Sequence, residues 1–332
     1  MFAWAPNHWA GLASTRTARQ GWRMDIQARL DPTIAELLAV AVLPEIRSHD
    51  DIIAVRERGL FPDLPLSDLV ERTDTEATGT PPVRVRIHRP VGWEAPLPCV
   101  VSLHPGGYVL GSYADDDIRH DRLCPKLGYV GVAVDYRLAP ETPYPGPLED
   151  AYTALRWVHQ NAAGLGVDAD RIGLLGVSGG GGLAGALALL ARDRGEVPVA
   201  FQQLVYPMLD DRRSTPTSQW DAPIWTPVSN ELGWSCYLGE LFGRDDVPAY
   251  AAPARADDLS GLPPAFLCVG ALDIFCDENI TYAQRLNQAG VPVELHVYPG
   301  GPHGVDAFAG LAEVATRCAR DQEEWLAGQL GS

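Results

Sequence analysis

A short apolar run leads directly into a glycine-rich turn at residues 172–180, which read IGLLGVSGG. The run predicts a buried strand over Ile172–Leu175, and the residues after the turn predict a helix over Gly182–Arg194. The glycines two residues before and two residues after Ser178 leave room for a sharp turn to close. A strand, a sharp turn centred on serine and a helix together form the context of a nucleophile elbow. We therefore take Ser178 as a candidate nucleophile.

Strand and helix patterns alternate along the chain on both sides of this turn. Further strands are predicted over Val83–Ile87, Pro98–Leu103, Val130–Val134, Phe201–Val205, Ala265–Val269 and Val293–Val297. Apolar residues at helical spacing predict helices over Leu148–Asn161, Asp277–Ala289 and Gly310–Gln329. Alternation of this kind indicates an α/β fold whose mostly parallel central sheet is flanked by helices on both faces.

Two segments depart from this alternation. Residues 24–75 carry apolar side chains at helical spacing and no sheet signal, and residues 212–250 are rich in Trp and Pro, with short helical pieces at best. Inserted segments often cover a site, so we expect these two to form a helical cap over a catalytic α/β domain of residues 76–211 and 251–332. The sequence leaves open whether the aromatic residues of the second segment line a pocket or pack the cap: Trp220, Trp225, Trp234, Tyr237 and Phe242.

Targeting and redox features predict a cytoplasmic protein. Residues 1–23 have no periodicity and no continuous apolar core, so we expect an N-terminal extension rather than a secretory signal, with Met24 as a possible native start. Six cysteines are scattered without a Cys-x-x-Cys pair, which favours reduced thiols over disulfides or a zinc site. No run of about 18 apolar residues is present.

The charge balance argues against whole classes of partner. Lys and Arg number 26 against 43 Asp and Glu, so the formal net charge is −17. Phosphate backbones and anionic lipid would repel such a chain, which argues against nucleic-acid and membrane-surface binding. Asp115, Asp116 and Asp117 form an acidic run, but no histidine or further carboxylate lies around it at the spacing of metal ligands. We therefore expect a solvated loop or a helix cap rather than a metal site. Because the chain has neither a P-loop nor a dinucleotide-binding motif, no cofactor is predicted.

A second glycine-rich turn, HPGGY at residues 104–108, follows the predicted strand that ends at Leu103. Acyl transfer needs backbone N–H donors directed at the carbonyl oxygen as it becomes an oxyanion. Glycines let a backbone approach closely, whereas Pro105 has no N–H to donate. Gly106 and Gly107 are therefore candidate oxyanion donors, and the N–H of Gly179 is a third. Taken alone, the turn is equally consistent with an ordinary glycine-rich loop.

These motifs resemble those of the hormone-sensitive-lipase-like branch of the α/β-hydrolases, the bacterial family IV carboxylesterases, which carry HGGG and GDSAG. The resemblance spans roughly residues 80–310 and includes YRLAPE at residues 136–141. It implies the α/β-hydrolase fold, hydrolysis of esters with short acyl chains, and a cap over the pocket. Three positions depart from the family pattern: Pro105 replaces the first glycine, Val177 the usual Asp, and Gly179 the usual Ala.

A serine nucleophile needs a base, and in this fold the chain order is Ser, then Asp or Glu, then His. Two histidines follow Ser178. His296 lies inside the predicted strand Val293–Val297, where a structural role is expected. His303 lies in a glycine-rich loop just beyond that strand, where an imidazole could reach the serine. We therefore predict His303 as the base.

The carboxylate that orients the base is predicted to be Asp273. It is the first acid after the strand Ala265–Val269, and it matches the first Asp of the family's Asp-x-x-x-Asp pattern. Asp277 is expected to cap the helix that follows. Asp210 is a weaker rival because it directly precedes the predicted insertion.

The resulting hypothesis is a serine carboxylesterase that hydrolyses short-chain or small aryl and alkyl esters through an acyl-enzyme. Two alternatives stay open: hydrolysis of amides, carbamates or lactones by the same residues, and a non-hydrolytic ligand-binding protein on the same fold. The expected partner is a small-molecule ester. A homodimer through the edge strand Val293–Val297 is implied by the resemblance alone.

Overall fold

The computed structural model describes residues 25–40, 45–61 and 64–331. The strands found there are β1 (Val70–Ala77), β2 (Val83–Pro90), β3 (Leu97–Leu103), β4 (Val130–Val134), β5 (Val167–Val177), β6 (Gln202–Val205), β7 (Ala265–Gly270) and β8 (Val293–Tyr298). The α-helices are α1 (Pro32–Val40), α2 (His49–Arg58), α3 (Asp117–Leu127), α4 (Gly146–Gln160), α5 (Ala162–Leu165), α6 (Gly179–Arg194), α7 (Pro227–Leu238), α8 (Cys276–Gln288) and α9 (Glu313–Gly331).

The strands form one sheet in the order β1-β2-β4-β3-β5-β6-β7-β8. β2 is antiparallel to both of its neighbours, and all other adjacent strands are parallel. The carboxyl ends of β3, β5, β7 and β8 therefore meet at one end of the sheet, where open α/β sheets bind their ligands. This arrangement confirms the predicted α/β-hydrolase fold with a mostly parallel sheet.

The sheet is buried on both faces. Val101 and Leu103 of β3 belong to one apolar cluster, which also contains side chains of α4, α6 and α8. Val100 belongs to a second cluster, which contains side chains of α3 and α9. Because successive side chains of a strand point to opposite faces, the two clusters lie on opposite sides of the sheet.

All seven strands predicted from the sequence are present, and the prediction of no strand within residues 24–75 is wrong. β1 begins at Val70, inside the segment assigned to the cap. It lies at the edge of the sheet and carries Glu71, Arg72 and Asp74, and only its two end residues are buried. An edge strand that is largely open to solvent needs no apolar alternation, so the pattern that reveals buried strands is missing.

The main differences between the helices and the sequence predictions lie at α3 and in the insertion. α3 was not predicted, and Asp116 and Asp117 at its start are buried rather than solvated. Asp115 forms a capping box with Ser112 in the preceding 3₁₀ turn, as the helix-cap alternative predicted. The insertion contains a regular helix, α7, which begins after the N-cap Thr226. The buried face of α7 contains Ser229, Asn230 and Gly233 as well as apolar side chains, so it is not the continuous apolar stripe that identifies a helix in a sequence. Thr226 followed by Pro227 is nevertheless a helix-start signal that the sequence contained.

The two segments predicted to form the cap contact each other. The backbone N–H of Ile46 donates to Ser229 Oγ (3.0 Å), and Thr226 Oγ1 donates to Glu45 Oε1 (2.7 Å). The predicted extension over residues 1–23 and the possible start at Met24 lie outside the described residues. Within the described part of the chain, no helix is long and apolar enough to cross a membrane.

Candidate active site

Ser178 lies in the turn between β5 and α6, with positive backbone angle φ of 56°. The turn is tight at both flanking glycines. A Cβ on Gly176 would lie 2.2 Å from the carbonyl oxygen of Gly180, and a Cβ on Gly180 would lie 2.1 Å from that of Leu103. Side chains at these positions would force the turn open, so the two glycines are required for the serine to sit at this apex.

Ser178, His303 and Asp273 form a hydrogen-bonded chain. Ser178 Oγ is 2.9 Å from His303 Nε2, and His303 Nδ1 is 2.7 Å from Asp273 Oδ2. Asp273 follows β7 and is fully buried, and its other oxygen accepts the N–H of Phe275 (2.9 Å). His303 follows β8 and is also buried. The carboxylate therefore fixes the ring so that its second nitrogen faces the serine.

Sequence reasoning missed the residues that hold the histidine loop. The rings of Tyr206 and Phe275 pack edge-to-face against His303, with centroids at 4.8 and 5.2 Å. The Tyr206 hydroxyl donates to Asp306 Oδ1 (2.7 Å), and Arg119 Nη2 lies 3.3 Å from Asp306 Oδ2. Asp306 belongs to the short 3₁₀ turn Val305–Phe308 just after the histidine, so these contacts tie that loop to β6 and α3. These partners lie far apart along the chain, so no local sequence pattern indicates that they interact.

Gly106 and Gly107 line the same pocket as Ser178, and both have positive φ. Among the described residues, none accepts a hydrogen bond from the N–H of either glycine. Gly179 is the first residue of α6, where N–H groups have no intrahelical partner. A Cβ on Gly179 would lie 2.8 Å from Gly107 Cα, so the two backbone segments are adjacent. The three predicted oxyanion donors are thus brought together beside the serine.

His104, the first residue of the HPGGY turn at residues 104–108, anchors that turn in the interior of the protein. It is fully buried, its ring stacks on Tyr136 at 4.1 Å, and its Nδ1 is 2.9 Å from the carbonyl oxygen of Pro105. Burial lowers the pKa of His104 to about 4, so the ring is neutral at physiological pH. The Tyr136 hydroxyl also donates to the carbonyl oxygen of His104 (2.8 Å).

The rival residues considered from the sequence lie elsewhere. His296 Nε2 is 2.7 Å from Glu294 Oε1, at the surface of β8. Asp210 pairs with Arg212. Asp277 does not cap its own helix as predicted, because its Oδ2 accepts the N–H of Thr217 (3.0 Å) and so ties α8 to the insertion. None of these three side chains is hydrogen-bonded to His303 within the described structure.

A cavity of about 410 Å³ opens over Ser178 and His303. Its walls include Leu38 and Val55 from the first of the two predicted cap segments and Ile224 and Trp225 from the second. The aromatic residues of the insertion therefore divide between the two roles left open by the sequence. Trp225 lines the cavity, whereas the other four pack within the fold: Trp220, Trp234, Tyr237 and Phe242.

The described residues include no group of three or more His, Cys, Asp and Glu side chains arranged to hold a metal ion. All six cysteines are free and buried, as the sequence predicted. Burial raises the pKa of Cys276, the cysteine that follows the Asp273 loop, to about 12. This thiol therefore stays protonated and is a packing group rather than a second nucleophile.

Comparison with known proteins identifies the family. A family of α/β-hydrolase fold matches residues 100–307. The chain belongs to this hydrolase family. It is 36% identical over 302 residues to esterase LipI of Mycobacterium tuberculosis, covering 88% of this chain and 92% of the relative. It is 39% identical over 260 residues to carboxylesterase NlhH of the same species, covering 77% of this chain and 80% of the relative.

A solved structure agrees with these relatives. The hydrolase superimposes on a bacterial heroin esterase with a TM-score of 0.86 and 40% identity, over 92% of this chain and 99% of the other. The resemblance to the hormone-sensitive-lipase-like carboxylesterases is thereby confirmed, and the hydrolase is a carboxylic ester hydrolase.

Proposed function

We propose that this hydrolase is a serine esterase for small esters and works through an acyl-enzyme formed on Ser178. The observation that carries the proposal is the chain Ser178–His303–Asp273, with links of 2.9 and 2.7 Å, at the base of an apolar cavity. This geometry supplies a nucleophile, a base within reach of its proton and a carboxylate that orients the base. Relatives named as esterases support the ester as the bond that is cleaved.

Acylation begins when His303 Nε2 takes the hydroxyl proton of Ser178 as Oγ attacks the ester carbonyl. The carbonyl oxygen becomes an oxyanion, to which the N–H groups of Gly106, Gly107 and Gly179 donate. The tetrahedral intermediate then collapses, and the alcohol leaves with the proton that His303 returns. Asp273 stabilises the imidazolium during both transfers and does not itself take the proton.

Deacylation repeats these steps with water as the nucleophile. His303 removes a proton from the water as it attacks the acyl-serine, and the acid leaves when Oγ recovers the proton. The cavity volume of about 410 Å³ and its apolar walls suit a small ester, with room for an acyl group and an alcohol on either side of Ser178. We also propose that the described residues that precede β1 act together with residues 212–250 as the cap that excludes bulk water from this cavity.

The test is hydrolysis of p-nitrophenyl esters from acetate to laurate by the wild type and by Ser178→Ala. We expect fast turnover of short chains and a loss in the variant of about 10⁶ in kcat, because the nucleophile is absent. Ser260→Ala, at an exposed serine far along the chain, is the matched control and should keep full activity. Mass spectrometry of the wild type during turnover should detect an acyl group on the peptide that contains Ser178. Equal turnover by wild type and Ser178→Ala, or none by either, would overturn the proposal.

A further inference from the structure

The last turn of α2 carries two arginines with different surroundings. Arg56 is fully engaged: its guanidinium donates to the carbonyl oxygens of Val109 (2.8 Å) and Ala139 (2.7 Å) and pairs with Glu141 (2.8 Å). It therefore fastens the cap helix to the body of the protein. Arg58, one half-turn further on, lines the cavity above Ser178 and is exposed. Within the part of the chain that the structure describes, Arg58 has no hydrogen-bond or ion-pair partner.

The charge of the cavity is opposite to that of the protein. The whole chain carries a net charge of −17, yet no Asp or Glu occurs among the described residues that line the cavity. Arg58 is the one permanently charged side chain among them. Val177, which precedes the nucleophile and also lines the cavity, stands where the resembling family has an Asp. The cavity thus lacks the acidic groups that would repel an anionic substrate, and it offers one cation without a partner.

We propose that this hydrolase takes esters that carry a carboxylate, such as monoesters of dicarboxylic acids, and that Arg58 binds the free carboxylate. The inference rests on the proposed function, because it names the substrate class of the same site. The planar guanidinium can donate two parallel hydrogen bonds to a carboxylate. The apolar walls would contact the methylene groups between the carboxylate and the ester. Arg58 is thereby a specificity-determining residue, which is not needed for the chemistry at Ser178.

The size of the effect follows from the exposure of Arg58. A fully exposed ion pair contributes little to binding, whereas a charged hydrogen bond that is shielded from water contributes more. Because Arg58 lies at the mouth of the apolar cavity, between these two cases, we expect its pairing with a carboxylate to change the affinity about tenfold. The pair is present in the bound substrate and in the transition state alike. Its loss should therefore raise KM for anionic esters about tenfold and leave kcat nearly unchanged.

The experiment compares monoethyl and diethyl esters of succinate, glutarate and adipate. Each pair has the same scissile bond and differs in one negative charge. The proteins are the wild type, Arg58→Gln, and Arg47→Gln as the matched control, since Arg47 is an exposed arginine of the same cap segment that does not line the cavity. We expect Arg58→Gln to raise KM about tenfold for the best monoethyl ester, with no change for its diethyl ester and no effect of Arg47→Gln. Added salt should weaken the wild-type preference for the monoesters.

Two results would overturn the inference while the proposed function stands. One is wild-type hydrolysis of the diethyl esters without hydrolysis of any monoethyl ester. The other is an equal change for both members of a pair in Arg58→Gln, or the same change in Arg47→Gln, which would indicate a general effect on the cap or on net charge. Failure of the wild type to hydrolyse these ethyl esters and the p-nitrophenyl esters alike would instead contradict the proposed function itself.

Discussion

At the scale of single residues, Gly179 sets how closely the two glycine-rich turns approach. A Cβ there would lie 2.8 Å from Gly107 Cα and 2.8 Å from the backbone nitrogen of Tyr108. Both distances are shorter than the contacts that Cβ atoms make in proteins. The neighbouring atoms are backbone, so the HPGGY turn would have to retreat.

We expect Gly179→Ala to lower kcat about tenfold, because the retreating turn moves the proposed oxyanion donors away from the carbonyl oxygen. The measurement is steady-state hydrolysis of p-nitrophenyl acetate. Gly185→Ala in the same helix is the control, since a Cβ there would have its nearest neighbour at 3.5 Å, an ordinary contact. An unchanged kcat in Gly179→Ala would mean that the turn can shift without cost.

The role of Asp273 gives a second prediction at this scale. Asp273→Asn should keep the fold and lower kcat about 10⁴-fold, because an amide that donates to His303 Nδ1 would hold the wrong tautomer. Asp277→Asn is the matched change, four residues away and bonded to Thr217 rather than to the histidine. We expect it to keep most of the activity. Greater damage from Asp277→Asn would show that the carboxylate was wrongly assigned.

At the scale of elements, the loop after β8 depends on contacts from distant parts of the chain. Asp306 accepts from Tyr206 and from Gln322 Nε2 (3.2 Å) and pairs with Arg119, whose side chain is only 18% exposed. Removing the charge leaves a largely buried guanidinium without its counter-ion. The Val305–Phe308 turn would then hold His303 less firmly over Ser178.

We therefore expect Asp306→Asn to reduce the free energy of unfolding by about 2 kcal/mol and kcat about tenfold, with little change in KM. Urea unfolding and ester kinetics measure the two effects. Asp321→Asn is the control. Asp321 in α9 accepts a hydrogen bond from the hydroxyl of Tyr298 in β8 (3.0 Å) and is not hydrogen-bonded to the loop that carries His303. Asp321→Asn should destabilise the protein without lowering kcat. An equal loss of kcat in both variants would show that Asp306 does not specifically hold the loop that carries His303.

A helix or strand could be predicted from the sequence when its buried face consists of apolar side chains. β3 to β8 are buried or backed by helices, and their apolar runs revealed them. β1 leaves all but its two end side chains at least partly exposed at the sheet edge, and α7 packs polar Ser229 and Asn230 inward. Neither element therefore carries the apolar periodicity that identifies its type. α3 was hidden because the acidic run Asp115–Asp117, which ends at its first residue, resembles a loop, although Asp116 and Asp117 are buried in the structure.

At the scale of the whole molecule, burial of charged groups links stability to pH. Asp116 accepts a hydrogen bond from Ser102 Oγ (2.8 Å) beneath the sheet, and Ser102 Oγ is also 2.8 Å from His120 Nε2. Burial raises the pKa of Asp116 from 3.8 to about 6, against the opposing effects of Ser102 and Arg119. Between about pH 4 and pH 6 the unfolded chain releases this proton while the folded protein keeps it. Stability from this group is thus present at low pH and lost as the pH rises through that window.

Asp116→Asn removes this titration. The free energy of unfolding of the variant, relative to wild type, should therefore rise by about 2 kcal/mol between pH 4 and pH 7, since each pKa unit is worth about 1.4 kcal/mol and part of the titration lies below pH 4. Urea unfolding of both proteins at the two pH values gives the difference directly, and titrations shared by both proteins cancel. A difference that does not change with pH would contradict a raised pKa for Asp116.

The sequence by itself predicted the fold class and singled out Ser178 with its two glycines, His303 and, together with the family resemblance, Asp273 as candidate site residues. These followed from local patterns: an apolar run ends, a turn or loop follows, and parallel strands bring such loops to one end of the sheet. Only the tertiary structure decided the partners that join distant segments. Tyr206 with Asp306 and Arg119, the contact of Gly179 with Gly107, and the position of Arg58 over Ser178 are of this kind. Such contacts depend on how loops and cap pack in space, and no local periodicity encodes them.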